Sequence, residues 1–353
     1  MTAFRRATSA ALAALAIALC AACADPAPSS SASAHPQDVA PTTTTTAPAS
    51  AYPFGESAFW RAPIDTAPLA PESQAMVAYL NATVVDRFDG VAAFNAHTYN
   101  SHLYTATAST PRTDFRFTDC QGKKNTPSGL LGEGGQFTGV PVPANAVPAA
   151  GTDAELSVYS PDTDQLWEFW KAAKAADGTW SACWGGRMDG VSTGPGHFLG
   201  GFGATATGLP NAGGAVRLAE ITAGRIDHAI SIAIPSPAEA TDFSWPAQRS
   251  DGFDPDPAAL PEGSRLRLDP SLDLASLRLT PAGLVIARAA QRYGFVVVDK
   301  AGSVAVIAEA VDKNADGTDP WRLALGTPDY AVLKNFPWTR MQVIERDYGK
   351  PTP

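Results

Sequence analysis

Apolar residues recur with two different periods along this chain. Between Glu72 and Val84, Met76, Leu80 and Val84 share one stripe with Val77 beside it, which predicts an amphipathic helix. Pro281–Tyr293 predicts a second, with Leu284, Val285 and Ala289 on its apolar side. Elsewhere beyond Gly90 the period falls to two. Leu103–Ala106, Phe115–Phe117 and Arg265–Leu268 read as short strands, punctuated by Gly, Pro, Asn and Asp. Leu156–Tyr159 and Leu166–Trp170 flank the turn Pro161-Asp162-Thr163-Asp164 and predict a hairpin. Val216–Ile221 and His228–Ile234 flank Thr222-Ala223-Gly224-Arg225 and predict another. Phe295–Val298 and Val304–Ile307 are predicted strands on either side of Lys300-Ala301-Gly302. This pattern predicts a mainly β domain with minor α+β character, of β-sandwich or jelly-roll type with two or three peripheral helices. No internal repeat of fixed period is visible.

The N-terminus is patterned differently. Arg5 and Arg6 precede an apolar run, Ala10–Leu19, well short of the roughly 20 residues a membrane span needs. Small residues then lead into a cysteine in Leu19-Cys20-Ala21-Ala22-Cys23. Residues 1–22 therefore read as a lipoprotein signal peptide, with Cys23 as the acylated (palmitate-bearing) residue. Cys20 is the poorer acceptor, because bulky Leu19 precedes it. Simple cleavage near Ala22–Ala24 is the alternative. Residues 23–54 are rich in Pro, Ala, Ser and Thr and cannot bury enough apolar surface to offset ordering. They are expected to form an extended, disordered tether. A single β-rich domain over residues 55–353 is then expected outside the cytoplasm, held at the cell membrane by lipid, with the lipid bilayer as its partner.

Charge and cysteine content narrow the class further. The formal net charge of −9 and the lack of a Lys/Arg stripe argue against a nucleic-acid partner. Cys120 and Cys183 remain after processing. In an oxidising compartment they read as a disulfide.

Candidate chemistry is sparse. Gly190-Val191-Ser192-Thr193-Gly194 has nucleophile-elbow spacing, but Pro195, Gly196, Gly200 and Gly201 follow where a helix would be needed, so a Gly-rich loop is expected. Asp312, Asn314 and Asp316, with Gly317, match the first half of a calcium loop. Its terminal Glu is replaced by Leu323, and an Asx turn is the alternative. A structural calcium there is the candidate cofactor, and no other is required.

Within Leu166–Trp170, alternation puts Glu168 beside Trp170, with Trp167 opposite. An acid beside an indole suits a sugar cleft, and Trp184 lies nearby in sequence. Glu220 and His228, expected on adjacent strands, offer a carboxylate–imidazole pair for proton transfer. Asp153 completes the candidate catalytic set. His197 and Asp251 sit in turn-rich loops, and Trp245 precedes the second of these. Arg265 and Arg267 share a strand face and could hold a carboxylated sugar or pair with Asp269.

Ser57–Trp60, Leu166–Trp170, Glu220–Ala229, Trp245-Pro246-Ala247, Ser250-Asp251-Gly252, Arg265–Leu268 and Gln291–Gly294 recur in an order that resembles a family of exported actinobacterial proteins with no established function. The resemblance covers residues 55–345. It implies one continuous domain and lends no catalytic residue. The functional expectation is a membrane-anchored lipoprotein acting on a cell-wall or environmental polysaccharide, as a glycoside hydrolase or lyase. The alternative is a non-catalytic glycan-binding or wall-associated structural lipoprotein.

Overall fold

Two open sheets, sharing one core between them, form the frame of the domain. The computed structural model describes residues 52–85 and 90–352, which belong to one compact unit. The signal peptide, Cys23 and the tether as far as residue 51 lie outside the described residues. Tyr52 and Phe54 fall within the expected tether, but Phe54 is buried and Tyr52 stacks on His228. The packed chain therefore already includes them.

The larger sheet has six strands in the order β1 (Ala93–Asn95), β14 (Ala305–Ile307), β11 (Ile230–Ile234), β13 (Phe295–Lys300), β12 (Arg265–Leu268), β15 (Met341–Val343). β1–β14 and β11–β13 are parallel, and the other pairs antiparallel. The strands predicted around Lys300-Ala301-Gly302 both form, but β11 lies between them. The smaller sheet runs β10 (Trp184–Asp189), β7 (Gln165–Trp170), β6 (Leu156–Ser160), β2 (Leu103–Thr105). Its β6–β7 pair is the predicted hairpin. Two minor sheets pair β3 (Arg112–Thr113) with β5 (Val140–Pro141), and join β4 (Arg116–Phe117), β9 (Trp180–Ala182) and β8 (Ala173–Lys174).

Alternation along β13 explains the layering. Phe295 and Val297 enter a core with Ile230 and Ile232 of β11, α1 (Ser73–Val85) and α4 (Pro281–Arg292). Val296 and Val298 face the other way, into a core shared with Leu166 and Met188 of the smaller sheet. Both predicted helices form. α4 begins where the Thr280 hydroxyl accepts the Gly283 amide, with Pro281 in its first turn.

Among the described residues, three short α-helices join these two: α2 (Asn211–Gly214), α3 (Leu218–Ala223) and α5 (Pro320–Leu325). α3 replaces the strand predicted at Val216–Ile221. Glu220 accepts the Arg217 amide at 2.9 Å, and Gly224 ends the helix in the left-handed region at φ 72°. The domain is therefore mixed α+β. No sheet among the described residues closes into a barrel or a sandwich, and each of the two larger sheets mixes parallel with antiparallel pairs. Cys120 and Cys183 are disulfide-bonded, with Cα atoms 5.6 Å apart. No helix among the described residues is long and apolar enough to cross a membrane.

Candidate functional site

β7 alternates as expected, with Leu166 in the inter-sheet core and Trp167 and Phe169 in a third, aromatic core. Both faces of the strand are covered, however. Glu168 is wholly buried rather than set beside an open cleft. Its two carboxylate oxygens accept the Asn211 and Ala212 amides, each at 2.9 Å. These amides begin α2, which can approach because Gly213 and Gly214 lack side chains. A Cβ on Gly213 would lie 2.4 Å from the Trp60 indole, and one on Gly214 2.0 Å from Ser231 Oγ. Burial pushes the Glu168 carboxyl up to about 7, against the two amides and the Ser157 hydroxyl. Glu155 accepts the Asn211 side-chain amide. Burial, then the charges of Glu168 and Asp299, hold the Glu155 carboxyl well above its ordinary range.

Glu220 and His228 meet although they are not on paired strands. Glu220 Oε1 lies 2.9 Å from His228 Nε2, and His228 Nδ1 lies 2.8 Å from the Ala229 carbonyl. Both ring nitrogens are thus occupied by acceptors. Tyr52 covers the buried imidazole, stacked at 4.5 Å, and the Arg61 and Arg217 guanidinium groups sit over the phenol ring at 4.9 and 5.3 Å. The pair ties α3 to the start of β11 and to the chain's entry into the domain.

The remaining candidates divide between packing and surface. Asp153 accepts the Trp170 indole N–H at 3.0 Å, and the Lys171 ammonium lies 4.6 Å over that ring. Trp184 sits opposite Trp170 in register, stacked on Phe202 with the Arg249 guanidinium 5.8 Å from its ring. Trp167 is core. Arg265 donates to the Ala62 carbonyl, and Arg267 to those of Ile64 and Ala67, so both are buried staples for residues 62–67. Burial pushes Arg265 down to about 10. Asp269 pairs instead with Arg340, at 2.5 Å. Ser192 donates its hydroxyl to Asp164 at 2.8 Å within the expected Gly-rich loop.

Open surface lies elsewhere, along residues 241–245, where successive side chains serve two clefts. Asp242 and Ser244 line a cleft of about 400 Å³ with Glu72, Glu239, Asp254, Asp256 and Glu345. Thr241, Phe243 and Trp245 line one of about 610 Å³ with His197 and Lys350. Arg346 lines both. It pairs with Asp242 at 2.5 Å and donates to the Phe243 carbonyl at 2.8 Å. The Trp245 amide donates to Asp347 at 2.6 Å, which fixes the C-terminal segment against this wall. Neither cleft is lined by Glu168, Glu220, His228, Asp153 or Asp251. His197 and Trp245 do share one, with rings 6.5 Å apart edge to face.

Asp251, Glu262 and Asp299 bring carboxylate oxygens within 4.8 Å of one another, an arrangement able to coordinate a metal ion. Asp251 is exposed and paired with Lys300 at 2.6 Å, and Glu262 is wholly buried. Burial, against the Ala206 amide and with the Asp251 charge adding to it, pushes Asp299 up to about 7. Glu262 and Asp299 carry no motif, and only the return of β13 beside the 249–262 loop brings them to Asp251. In the 312–317 loop, Asp316 Oδ1 accepts the Thr318 amide and hydroxyl at 2.9 and 2.7 Å, and the Asn314 side chain donates to Thr318 Oγ1 at 2.8 Å. That loop, Asp312 included, is exposed and closes on itself as an Asx turn. Neither a family model, nor a curated protein, nor a solved structure matches this chain.

Proposed function

We propose that this chain is a lipid-anchored, extracytoplasmic protein that holds a cell-wall or environmental polysaccharide without cleaving it, in keeping with its resemblance to exported actinobacterial lipoproteins. The carrying observation is the division along residues 241–245: aromatic faces in one cleft, carboxylates in the next, and Arg346 in both. Indole and phenyl faces suit the apolar faces of sugar rings. Carboxylates accept hydroxyl hydrogen bonds and guanidinium groups donate to ring and carboxyl oxygens. Lipid at Cys23 supplies the membrane affinity, and the acidic domain faces the wall.

A glycoside hydrolase is the second reading. It needs two carboxyl groups roughly 5–10 Å apart across the scissile bond. Glu168 is committed to α2, and Glu220 to the α3 cap and His228. In the acidic cleft, the Tyr79 hydroxyl bonded to Asp254 holds that carboxyl below its ordinary range, the reverse of what a general acid requires. Affinity electrophoresis of the full chain through gels containing cell-wall polysaccharide tests the binding reading. Trp245→Ala and Phe243→Ala should abolish retardation, by analogy with aromatic anchors worth about 2 kcal/mol or more. Retardation unchanged in both folded variants would refute it.

A further inference from the structure

None of Asp251, Glu262 and Asp299 lines either cleft of the proposed binding face, and packing does not explain the cluster. Three segments converge there: the loop carrying Asp251, the stretch with Glu262 that leads into β12, and the end of β13. Glu262 is wholly buried, yet its Oε1 accepts no hydrogen bond. A buried carboxylate oxygen without a partner is costly. Its Oε2 accepts the Asp251 amide at 3.1 Å, and the Ser250 hydroxyl also bonds the carboxyl. Arg249 faces the three acids with its charge, but its guanidinium donates its hydrogen bonds to the Gly203, Thr205 and Ala206 carbonyls and none to Glu262 Oε1. Lys300 meets only Asp251, and its side chain is 42% exposed and free to swing into water.

We propose that Asp251, Glu262 and Asp299 form a binding site for a hard divalent cation, with calcium the best fit. The donor set is all oxygen, which favours calcium, magnesium or manganese over zinc. Calcium–oxygen distances of about 2.3–2.6 Å allow ligands up to about 5 Å apart, whereas magnesium at about 2.1 Å allows about 4.2 Å. The three oxygens lie within 4.8 Å of one another, a span that calcium can bridge in full. The ion takes the idle Glu262 Oε1 and displaces the Lys300 ammonium from Asp251. It joins the 249–262 loop to β13. The Glu262 carbonyl accepts the Ser244 amide at 2.9 Å, so the ion is also connected to the wall that carries Trp245.

The test is calorimetric titration of the full chain, stripped with chelator and held in detergent, with calcium chloride. One calcium per chain is expected. Asp299→Asn and Glu262→Gln should weaken it at least about tenfold, and Lys300→Met should tighten it severalfold by removing the competing ammonium. Should Glu262→Gln fail to fold, exposed Asp251→Asn must show the same loss with a native circular-dichroism spectrum. Asp316→Asn, in the Asx turn, should change nothing. No calcium bound by the folded chain at millimolar concentration would overturn the proposal. So would affinity unchanged in Asp251→Asn and Asp299→Asn, or lost in Asp316→Asn.

Discussion

Glu168→Gln should remove the pH dependence that Glu168 gives this protein's stability, so that the variant gains on the wild type as pH rises. Glu168 is wholly buried, and its carboxyl is raised from an ordinary 4.5 to about 7. An acid whose pKa is raised on folding keeps its proton in the native state while the unfolded chain has already lost it. Native stability therefore falls as pH rises from about 4.5 to about 7, and the whole loss amounts to about 3 kcal/mol. Glutamine does not titrate. It offers one acceptor oxygen where the carboxyl offers two, so either the Asn211 or the Ala212 amide loses its acceptor, at a cost of about 1–3 kcal/mol that does not vary with pH. Between pH 4.5 and pH 8 the variant should gain about 3 kcal/mol on the wild type, a little more once Glu155 is relieved of the Glu168 charge. Urea unfolding followed by tryptophan fluorescence from pH 4.5 to 8.5 measures the difference directly. Parallel stability profiles for the two proteins would refute this reasoning.

Further predictions concern other contacts. His97 bridges Asp329 and Asp319 at 2.7 Å each, and although burial opposes its charge, these bonds raise its pKa above 6.5. Its stabilisation should be complete below about pH 6.5 and be lost as pH rises through the raised value. His97→Ala should thus cost up to about 1 kcal/mol at pH 5.5 and little at pH 9, the groups being partly exposed. Gly214→Ala should destabilise by about 2 kcal/mol or more, because its methyl meets Ser231 and the Trp60 ring; thermal unfolding would show it, and a wild-type midpoint would refute the packing argument. Reducing Cys120–Cys183 should remove about 2–4 kcal/mol, read as a lower denaturation midpoint with dithiothreitol.

Local signals were legible in the sequence, and long-range ones were not. The alternation of Leu166–Trp170 correctly assigned its two faces, and the Pro161–Asp164 turn correctly paired β6 with β7. What alternation could not report is that α2 covers the Glu168 face, since that depends on Gly213 and Gly214 meeting Trp60 from far upstream. At Val216–Ile221 apolar spacing suggested a strand. Glu220 three residues after Arg217, with Gly224 beyond, was the helix signal that prevailed. Phe243 and Arg346 lie about a hundred positions apart and meet only because β15 returns beside β12. Glu262 and Asp299 look like ordinary acids until β13 brings them to Asp251.

The central claim is that the domain holds a polysaccharide through the Trp245 wall and does not cleave it. Incubating the full chain with purified cell-wall polysaccharide, and assaying retained protein and released reducing ends in the same sample, tests this most directly. Retention that depends on Trp245 and is unaffected by Glu168→Gln, with no reducing ends above background, is the predicted result. Release of soluble sugar by the wild type, abolished in Glu168→Gln, would contradict it.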